Sequence, residues 1–200
     1  MPGQSERRLV ATMFMSLDGV VESPQNWSFP FWNEEMEQFK NDEQEAADAM
    51  LLGRVTYEAF AAAWPSRTGD FADRFNAMPK YVASRTLSKA DWKNSHILQG
   101  DLATGVTRLK EQPGRDILIH GSVSLINQLL QRGLIDELRL LVFPVVLGSG
   151  KRLFEEGKRT DLKLRESRAF SKGVVAMVYG REDEAPPKAE HRHAPGAAAR

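Results

Sequence analysis

The sequence contains no cysteine among its 200 residues. This absence excludes thiol nucleophiles, disulfide bonds and thiolate metal ligands, and it fits a reducing cytoplasm. Histidine is also scarce, with four residues in the sequence. Two of them, His191 and His193, lie close to the C-terminus. The other two, His96 and His120, do not have the paired spacing of a helical metal site, so we expect no bound metal.

The sequence also lacks an excess of charge of either sign and a long apolar run. Lys and Arg number 27, and Asp and Glu number 27, so no long-range field attracts a nucleic acid or an anionic membrane. The apolar run that follows the polar residues 1–8 is too short and too interrupted for a signal peptide or a membrane span. We therefore predict a soluble, cytoplasmic protein with neither a nucleic acid nor a membrane as partner.

What the sequence does contain is a regular alternation of strand and helix patterns. Branched and apolar runs predict strands at residues 9–15, 49–52, 80–84, 95–98, 117–119, 134–146, 162–170 and 174–180. The last two are joined by the short turn 171–173, which indicates a hairpin, whereas helical spacing separates most of the others. We therefore predict an α/β protein with a mostly parallel sheet and antiparallel strands at its C-terminal edge.

Three local patterns refine this organisation. Met36, Phe39, Ala46, Ala47 and Met50 recur at helical spacing, which indicates a helix with a solvated acidic face. Pro144 interrupts the predicted strand 134–146 and favours a bulge or an edge position there. From residue 182 onward no apolar pattern persists, so we predict one domain at residues 8–181 and a disordered tail at 182–200.

The segment 116–130 predicts an anion site, because an apolar strand runs into Gly121 and then into an amphipathic helix. Glycine permits close approach of the backbone, and Ser122 or Ser124 can cap the helix. The unpaired amides of the first helical turn and the helix dipole together favour a phosphate. The alternative is an ordinary strand-to-helix turn, which every α/β protein contains many times.

Two further predicted strands end in groups that suit anions. Residues 53–56 are Gly-Arg-Val-Thr and residues 84–86 are Ser-Arg-Thr, and the carboxyl ends of parallel strands share one edge of a sheet. Three such ends suit a dinucleotide with an extra ribose phosphate, although G-x-x-x-x-G-K-[ST] and a strand-to-helix G-x-G-x-x-G are both missing. The alternatives are a surface ion pair for Arg54 and an ordinary polar loop at 84–86. Residues 148–151, Gly-Ser-Gly-Lys, predict a turn that can approach the cofactor, with an ordinary loop as the alternative.

Taken together, these motifs resemble the dihydrofolate reductase superfamily. The resemblance rests on Gly121 and on residues 51–58, 84–86, 136–138 and 144–154. Ser16-Leu17-Asp18-Gly19 is similar to the C-terminal reductase domain of the bifunctional riboflavin-biosynthesis deaminase-reductase, and the match spans residues 8–181. The resemblance implies a three-layer α/β/α fold, NADPH as hydride donor and a homodimer.

The resemblance also implies roles for individual residues. Gly53, Arg54 and Thr56 would meet the cofactor phosphates. Ser84 and Arg85, with Thr86 beside them, would meet the ribose 2′-phosphate, and Gly121, Ser122, Val123 and Ser124 would meet the pyrophosphate. Asp18 would lie on the substrate side as the candidate catalytic residue, with a turn-forming role beside Gly19 as the alternative.

The sequence departs from the superfamily pattern at two places. Folate reductases follow their Trp and Pro loop with a carboxylate, whereas an ungapped reading puts Trp32 at that position. Glu34 or Glu35 could replace the acid only through a shifted register, and both are otherwise solvated first-turn acids. His120 stands where paired glycines are common, and we take it as structural.

These observations predict an NADPH-dependent reductase of the riboflavin-biosynthesis type. Its substrate would be a small heterocycle with a pyrimidine- or pterin-like carbonyl or imine, in the manner of 5-amino-6-(5-phosphoribosylamino)uracil. The alternatives are a dimeric NADPH-binding module without turnover, a dihydrofolate reductase-like enzyme acting on another substrate, and a pure scaffold.

Overall fold

The computed structural model describes residues 7–181, and the predicted disordered tail at 182–200 lies outside the described residues. Within that range the strands are β1 (Leu9–Ser16), β2 (Ala47–Gly53), β3 (Lys80–Ala83), β4 (Ser95–Leu98), β5 (Asp116–His120), β6 (Glu137–Phe143), β7 (Leu162–Ala169) and β8 (Val175–Arg181). The α-helices are α1 (Glu34–Ala46), α2 (Arg54–Ala63), α3 (Asp70–Ala77), α4 (Leu102–Lys110) and α5 (Val123–Leu130). None of the described helices is both long enough and apolar enough to cross a bilayer.

The strands form one sheet in the order β4-β3-β2-β5-β1-β6-β8-β7. The pairs from β4 to β6 are parallel, whereas β8 is antiparallel to both β6 and β7. The predicted sheet, with its hairpin at the C-terminal edge, is therefore confirmed. Crossovers between the parallel strands, helical except for the loop from β3 to β4, bring their carboxyl ends to one side of the sheet.

Alternate residues of each central strand pack against different helical layers. On one face, Leu9 and Ala11 of β1 belong to a cluster completed by α4 and α5. On the other face, Val10 belongs to a cluster with Tyr57 of α2 and Phe75 of α3. Because side chains of a strand point alternately to its two faces, this arrangement gives the predicted three-layer α/β/α sandwich.

The structure corrects the sequence prediction for the first helix. α1 ends at Ala46 and the chain enters β2 at once, so Ala47 and Met50 belong to the strand and not to the helix. The polar side of α1 is not wholly solvated either, because Lys40 and Glu43 are buried. The apolar spacing predicted the helix correctly, but it did not show which of the charged side chains of the helix are buried.

Two other local features depend on single residues. Asp101 caps α4, since its side chain accepts a hydrogen bond from the Thr104 amide at 3.0 Å. The strand predicted through Pro144 instead ends at Phe143. Proline has no amide hydrogen to continue the ladder, and β6 lies between β1 and β8 and not at an edge.

Lys80 is the largest fully buried side chain in the described part of the molecule. Its Nζ donates hydrogen bonds to the carbonyl oxygens of Asn76 at 2.6 Å, Met78 at 2.8 Å and Lys93 at 3.1 Å, and it lies 4.1 Å from the Trp92 ring centroid. Burial lowers the pKa of Lys80 to about 8, so the ammonium is charged at neutral pH. All three N–H groups of the ammonium therefore have acceptors. The Lys80 side chain joins the segment before β3, at Asn76 and Met78, to the loop after β3, at Lys93.

We predict that Lys80→Met lowers the free energy of unfolding by about 3 kcal/mol, because three buried carbonyl groups lose their donor. Urea denaturation followed by tryptophan fluorescence measures this change. Lys163→Met, on the exposed side of β7, is the matched control and should stay within about 0.5 kcal/mol of the wild type. Equal stabilities for the two variants would contradict a structural role for the Lys80 ammonium.

Candidate functional site

The carboxyl ends of β2, β3 and β5 open into one large cleft with a volume of about 1550 Å³. All the residues predicted to meet the cofactor line this cleft, namely Gly53, Arg54, Thr56, Ser84, Arg85, Thr86, Gly121, Ser122, Val123 and Ser124. Segments far apart in the sequence thus meet at one edge, as expected of parallel strands in an α/β sheet. Their role in cofactor binding remains a prediction.

Ser122 joins the ends of β2 and β5. Its Oγ accepts a hydrogen bond from the Gly53 amide at 2.9 Å and lies 2.8 Å from Thr56 Oγ1. The Ser122 side chain therefore does not cap α5, although the residue occupies the cap position. Only one hydroxyl donates in the pair of Ser122 and Thr56, so the other hydroxyl hydrogen is available to a ligand.

The turn between β5 and α5 has an uncommon backbone conformation. Gly121 and Ser122 have φ values of 78° and 65°, so two successive residues are left-handed. This turn leads into α5. The first amide of the helix that donates a hydrogen bond to a backbone carbonyl is that of Ile126, which donates to Ser122 O at 2.9 Å. The preceding first-turn amides have no acceptor among the described residues, and amides of this kind at a helix start bind phosphate oxygens.

The two candidate phosphate-binding arginines differ in their partners. Arg54 forms an exposed ion pair with Glu58, at 3.1 and 2.8 Å, which is the alternative that the sequence left open. Arg85 is exposed and has no ion pair within residues 7–181. Ser84 Oγ accepts the amide of Leu87 at 2.9 Å, which fixes the turn that presents Arg85. Arg85 is therefore the more available guanidinium.

The cleft collects positive charge although the whole chain has none in excess. Its basic lining residues outnumber the acidic ones, Glu22, Glu37 and Asp101. The basic residues are Lys40, Arg54, Arg67, Arg85, Arg132 and Lys151. Lys40 is paired with Glu43 and Arg54 with Glu58, which leaves four basic lining residues without an ion pair in the described part of the chain against the three acidic ones. This local excess favours an anionic ligand even without a long-range field.

Asp18 does not line the cleft. Its carboxylate accepts hydrogen bonds from Ser16 Oγ at 2.6 Å and from the amides of Leu147 at 3.1 Å and Gly148 at 2.9 Å. These bonds, that from Ser16 first, lower the pKa of Asp18 to about 2. These contacts connect the end of β1 to the loop that carries Lys151 into the cleft, and the catalytic role of Asp18 stays a prediction.

Trp32, which the ungapped sequence reading puts in place of the folate-reductase acid, lines the cleft together with Phe14, Trp64 and Phe75. We call this aromatic part of the cleft the substrate half, because we expect the substrate to bind there. Neither Glu34 nor Glu35 lines the cleft, and the Glu35 carboxylate instead accepts the Ser171 amide at 2.7 Å. Glu34 and Glu35 therefore do not restore the acid, and the first-turn carboxylate of α1 that does line the cleft is that of Glu37.

The sequence analysis missed two polar residues on the floor of this half, Thr12 and Lys40. The one sequence signal was Lys40 three residues before Glu43 on α1, a spacing that is equally typical of an exposed helix face. His120 also lines the floor, and burial, followed by the nearby charge of Lys40, lowers its pKa well below 6.5. The His120 imidazole is therefore neutral at physiological pH.

A mostly parallel sheet between helical layers, with one cleft across its strand ends and an antiparallel C-terminal edge, defines the dihydrofolate reductase-like class of α/β proteins. The RibD C-terminal domain family model matches residues 7–176, and the chain belongs to this family. Membership supports an oxidoreductase of the riboflavin-pathway type.

Three similar proteins place the chain in context. The uncharacterized protein YyaP of Bacillus subtilis (strain 168) is 32% identical over 180 residues, which cover 87% of this chain and 95% of YyaP. A structure from Shewanella sp. PV-4, described as a riboflavin biosynthesis protein, has a TM-score of 0.73 at 20% identity and covers 88% of this chain and 99% of its own. Dihydrofolate reductase from Enterococcus faecalis, complexed with NADP(H), has a TM-score of 0.59 at 15% identity, covering 88% and 97%. The two structures show the shared fold.

We predict that the stability contributed by Asp18 depends on pH. Its pKa is lowered from 3.8 to about 2 in the folded protein, so the contribution is complete above pH 3.8 and is lost as the pH falls through about 2. Asp18→Asn should therefore be less stable than the wild type at pH 6, and the difference should shrink towards pH 2. Urea denaturation across this range measures the difference, and a difference independent of pH would contradict a stabilising role for the ionised Asp18 carboxylate.

Proposed function

We propose that the protein is an NADPH-dependent reductase of the riboflavin-pathway type. Its substrate would be a pyrimidine- or pterin-like heterocycle with a reducible carbonyl or imine. The proposal rests on one observation. Three strand ends whose residues suit an anion, at Gly53, Ser84 and Gly121, line the same basic cleft. Family membership supports the reaction type.

The residues of the cleft fit the parts of a phosphorylated dinucleotide. The first-turn amides of α5 and the hydroxyl pair of Ser122 and Thr56 would bind the pyrophosphate. Arg85, with Ser84 and Thr86 beside it, would bind the 2′-phosphate that distinguishes NADPH from NADH. When bound, the cofactor supplies the hydride, so the protein has to position the acceptor, exclude water and provide a proton.

The aromatic side chains of the substrate half suit a flat heterocycle. Phe14 and Trp32 lie with their ring centroids 6.3 Å apart, and Trp64 and Phe75 form a closer pair at 4.3 Å. All four line the cleft. Aromatic faces bind planar rings by stacking or by edge contacts and keep bulk water away from them.

The second candidate function is an NADPH-binding module without turnover. The presence of Trp32 in place of the folate-type acid favours it, because that change removes a familiar proton source. The two functions differ in NADPH oxidation, which can be followed by absorbance with phosphoribosylamino-pyrimidine, dihydropterin and small carbonyl substrates. NADPH binding without oxidation of NADPH by any of them would favour the module. A cytoplasmic homodimer remains our proposal for the state of the protein.

We predict that Arg85→Ala weakens NADPH binding by roughly 10- to 100-fold, the range expected for a charged hydrogen bond worth about 1.5–3 kcal/mol. NADH binding should change by less than about twofold, because NADH lacks the phosphate that the guanidinium is proposed to meet. Fluorescence titration with both cofactors gives the comparison. Arg159→Ala, which removes an 86% exposed guanidinium, is the matched control. Equal weakening of the two cofactors would remove Arg85 from the proposed 2′-phosphate site.

A further inference from the structure

A row of polar side chains crosses the otherwise apolar face of the sheet beneath α1. In the register of the sheet, Thr12 of β1 is paired with His120 of β5 on one side and with Arg139 of β6 on the other. Paired residues of neighbouring strands point to the same face. α1 covers this row and places Lys40 and Glu43 against it.

The Lys40 ammonium uses only part of its donor capacity in these contacts. Its Nζ donates to Thr12 Oγ1 at 3.2 Å and to the Glu43 carboxylate. An ammonium has three N–H groups, and within residues 7–181 the third has no acceptor. Lys40 lines the cleft with only 9% of its side chain exposed, so the remaining donor is deep in the substrate half.

Glu43 has two contacts besides Lys40, although its Oε1 has no hydrogen-bond partner among the described residues. It is 1% exposed, accepts a hydrogen bond from Thr12 Oγ1 at 3.2 Å and lies 3.6 Å from Arg139 Nη1. Arg139 is in turn bound to Glu137 at 2.5 Å. A buried ion pair costs desolvation and is a poor source of stability, so a pair that opens onto a cleft suggests a role in binding.

The surroundings of the Lys40 ammonium favour a neutral ligand atom. Glu43 already balances its charge, and His120 beside it is neutral. The other cation of this half, Arg67, lies at the rim, 4.4 Å from the Trp64 ring centroid. The floor therefore offers a hydrogen bond to a carbonyl or imine and no uncompensated charge for a carboxylate or phosphate.

We propose that Lys40 binds the carbonyl oxygen or imine nitrogen of a planar heterocyclic substrate and supplies the proton that its reduction requires. This inference rests on the proposed function and names the residue that acts in place of the missing acid. Glu43 and Thr12 are positioning residues, because they act through the Lys40 ammonium.

The proposed reaction balances with one proton from Lys40. With a reduced nicotinamide bound, its hydride would form the new C–H bond and the nicotinamide would be left oxidised. The π electron pair of the C=O or C=N bond moves to the heteroatom, which takes its proton from Lys40 Nζ. Lys40 is left as a neutral amine and regains a proton from water.

Binding of lumazine, a planar pteridine with two carbonyl groups, tests the contact without turnover. Quenching of tryptophan fluorescence reports the dissociation constant, with and without NADP⁺. Lys40→Met should weaken lumazine binding at least tenfold and leave NADPH binding within twofold. Lys163→Met is the charge-matched control and should bind lumazine like the wild type.

Lys40→Met leaves Glu43 buried without its partner, so the variant could lose stability for that reason alone. The double variant Lys40→Met/Glu43→Leu removes both charges, and circular dichroism checks its fold. A folded double variant that binds lumazine within twofold of the wild type would overturn the inference. If the wild type binds NADPH but not lumazine, only the inference about Lys40 is overturned. If the wild type does not bind NADPH, the proposed function is overturned.

Lys40→Arg separates the hydrogen bond from the proton. Arginine keeps the charge and the donors but does not give up a proton in proteins. The Lys40→Arg variant should bind lumazine within about threefold of the wild type. Its kcat should be lower by roughly 100-fold or more, measured with whichever of the phosphoribosylamino-pyrimidine, dihydropterin and small carbonyl substrates the wild type reduces fastest. A kcat within threefold of the wild type would exclude Lys40 as the proton source. No turnover by the wild type with any substrate would contradict the proton step and the proposed reductase activity, and lumazine binding would still decide the contact.

Discussion

The hydrogen bonds of the Ser122 hydroxyl join the ends of β2 and β5, two neighbouring strands that come from distant parts of the sequence. The Gly53 amide and the Thr56 hydroxyl both meet this oxygen. A Cβ added at Gly53 would lie 3.0 Å from Ser122 Cβ and still closer to its Oγ, so the junction requires glycine there. With β2 and β5 held in this way, the first turn of α5 and the loop after β3 face the same space.

Much of the fold could be predicted from the sequence because its signals are local and periodic. The hairpin of β7 and β8 and the Asp101 cap each depend on a few neighbouring residues. The anion-suited strand ends were also predictable, because the topology of parallel strands brings turns such as those at Gly53 and Gly121 to one edge. The exact start of β2 was not, because Ala47 and Met50 fit the helical period of α1 as well as the strand.

The parts of the site that could not be predicted depend on tertiary contacts. Lys40 and Glu43 look like an exposed i, i+3 pair in the sequence, and only the packing of α1 over Thr12 and Arg139 shows that they are buried. Asp18 likewise stands in the Ser-Leu-Asp-Gly turn, but two of its partners are amides of a loop about 130 residues away, as the sequence separation of its bond to Gly148 shows. Sequence spacing identifies such residues and does not show what they contact.

The central claim is that the strand ends around Ser122 together bind the reduced coenzyme. Calorimetric titration of the purified protein with NADPH tests it most directly. We predict saturable binding of one NADPH per chain, with higher affinity than for NADH. The absence of saturable binding would contradict the account, even though the fold and the family would stand.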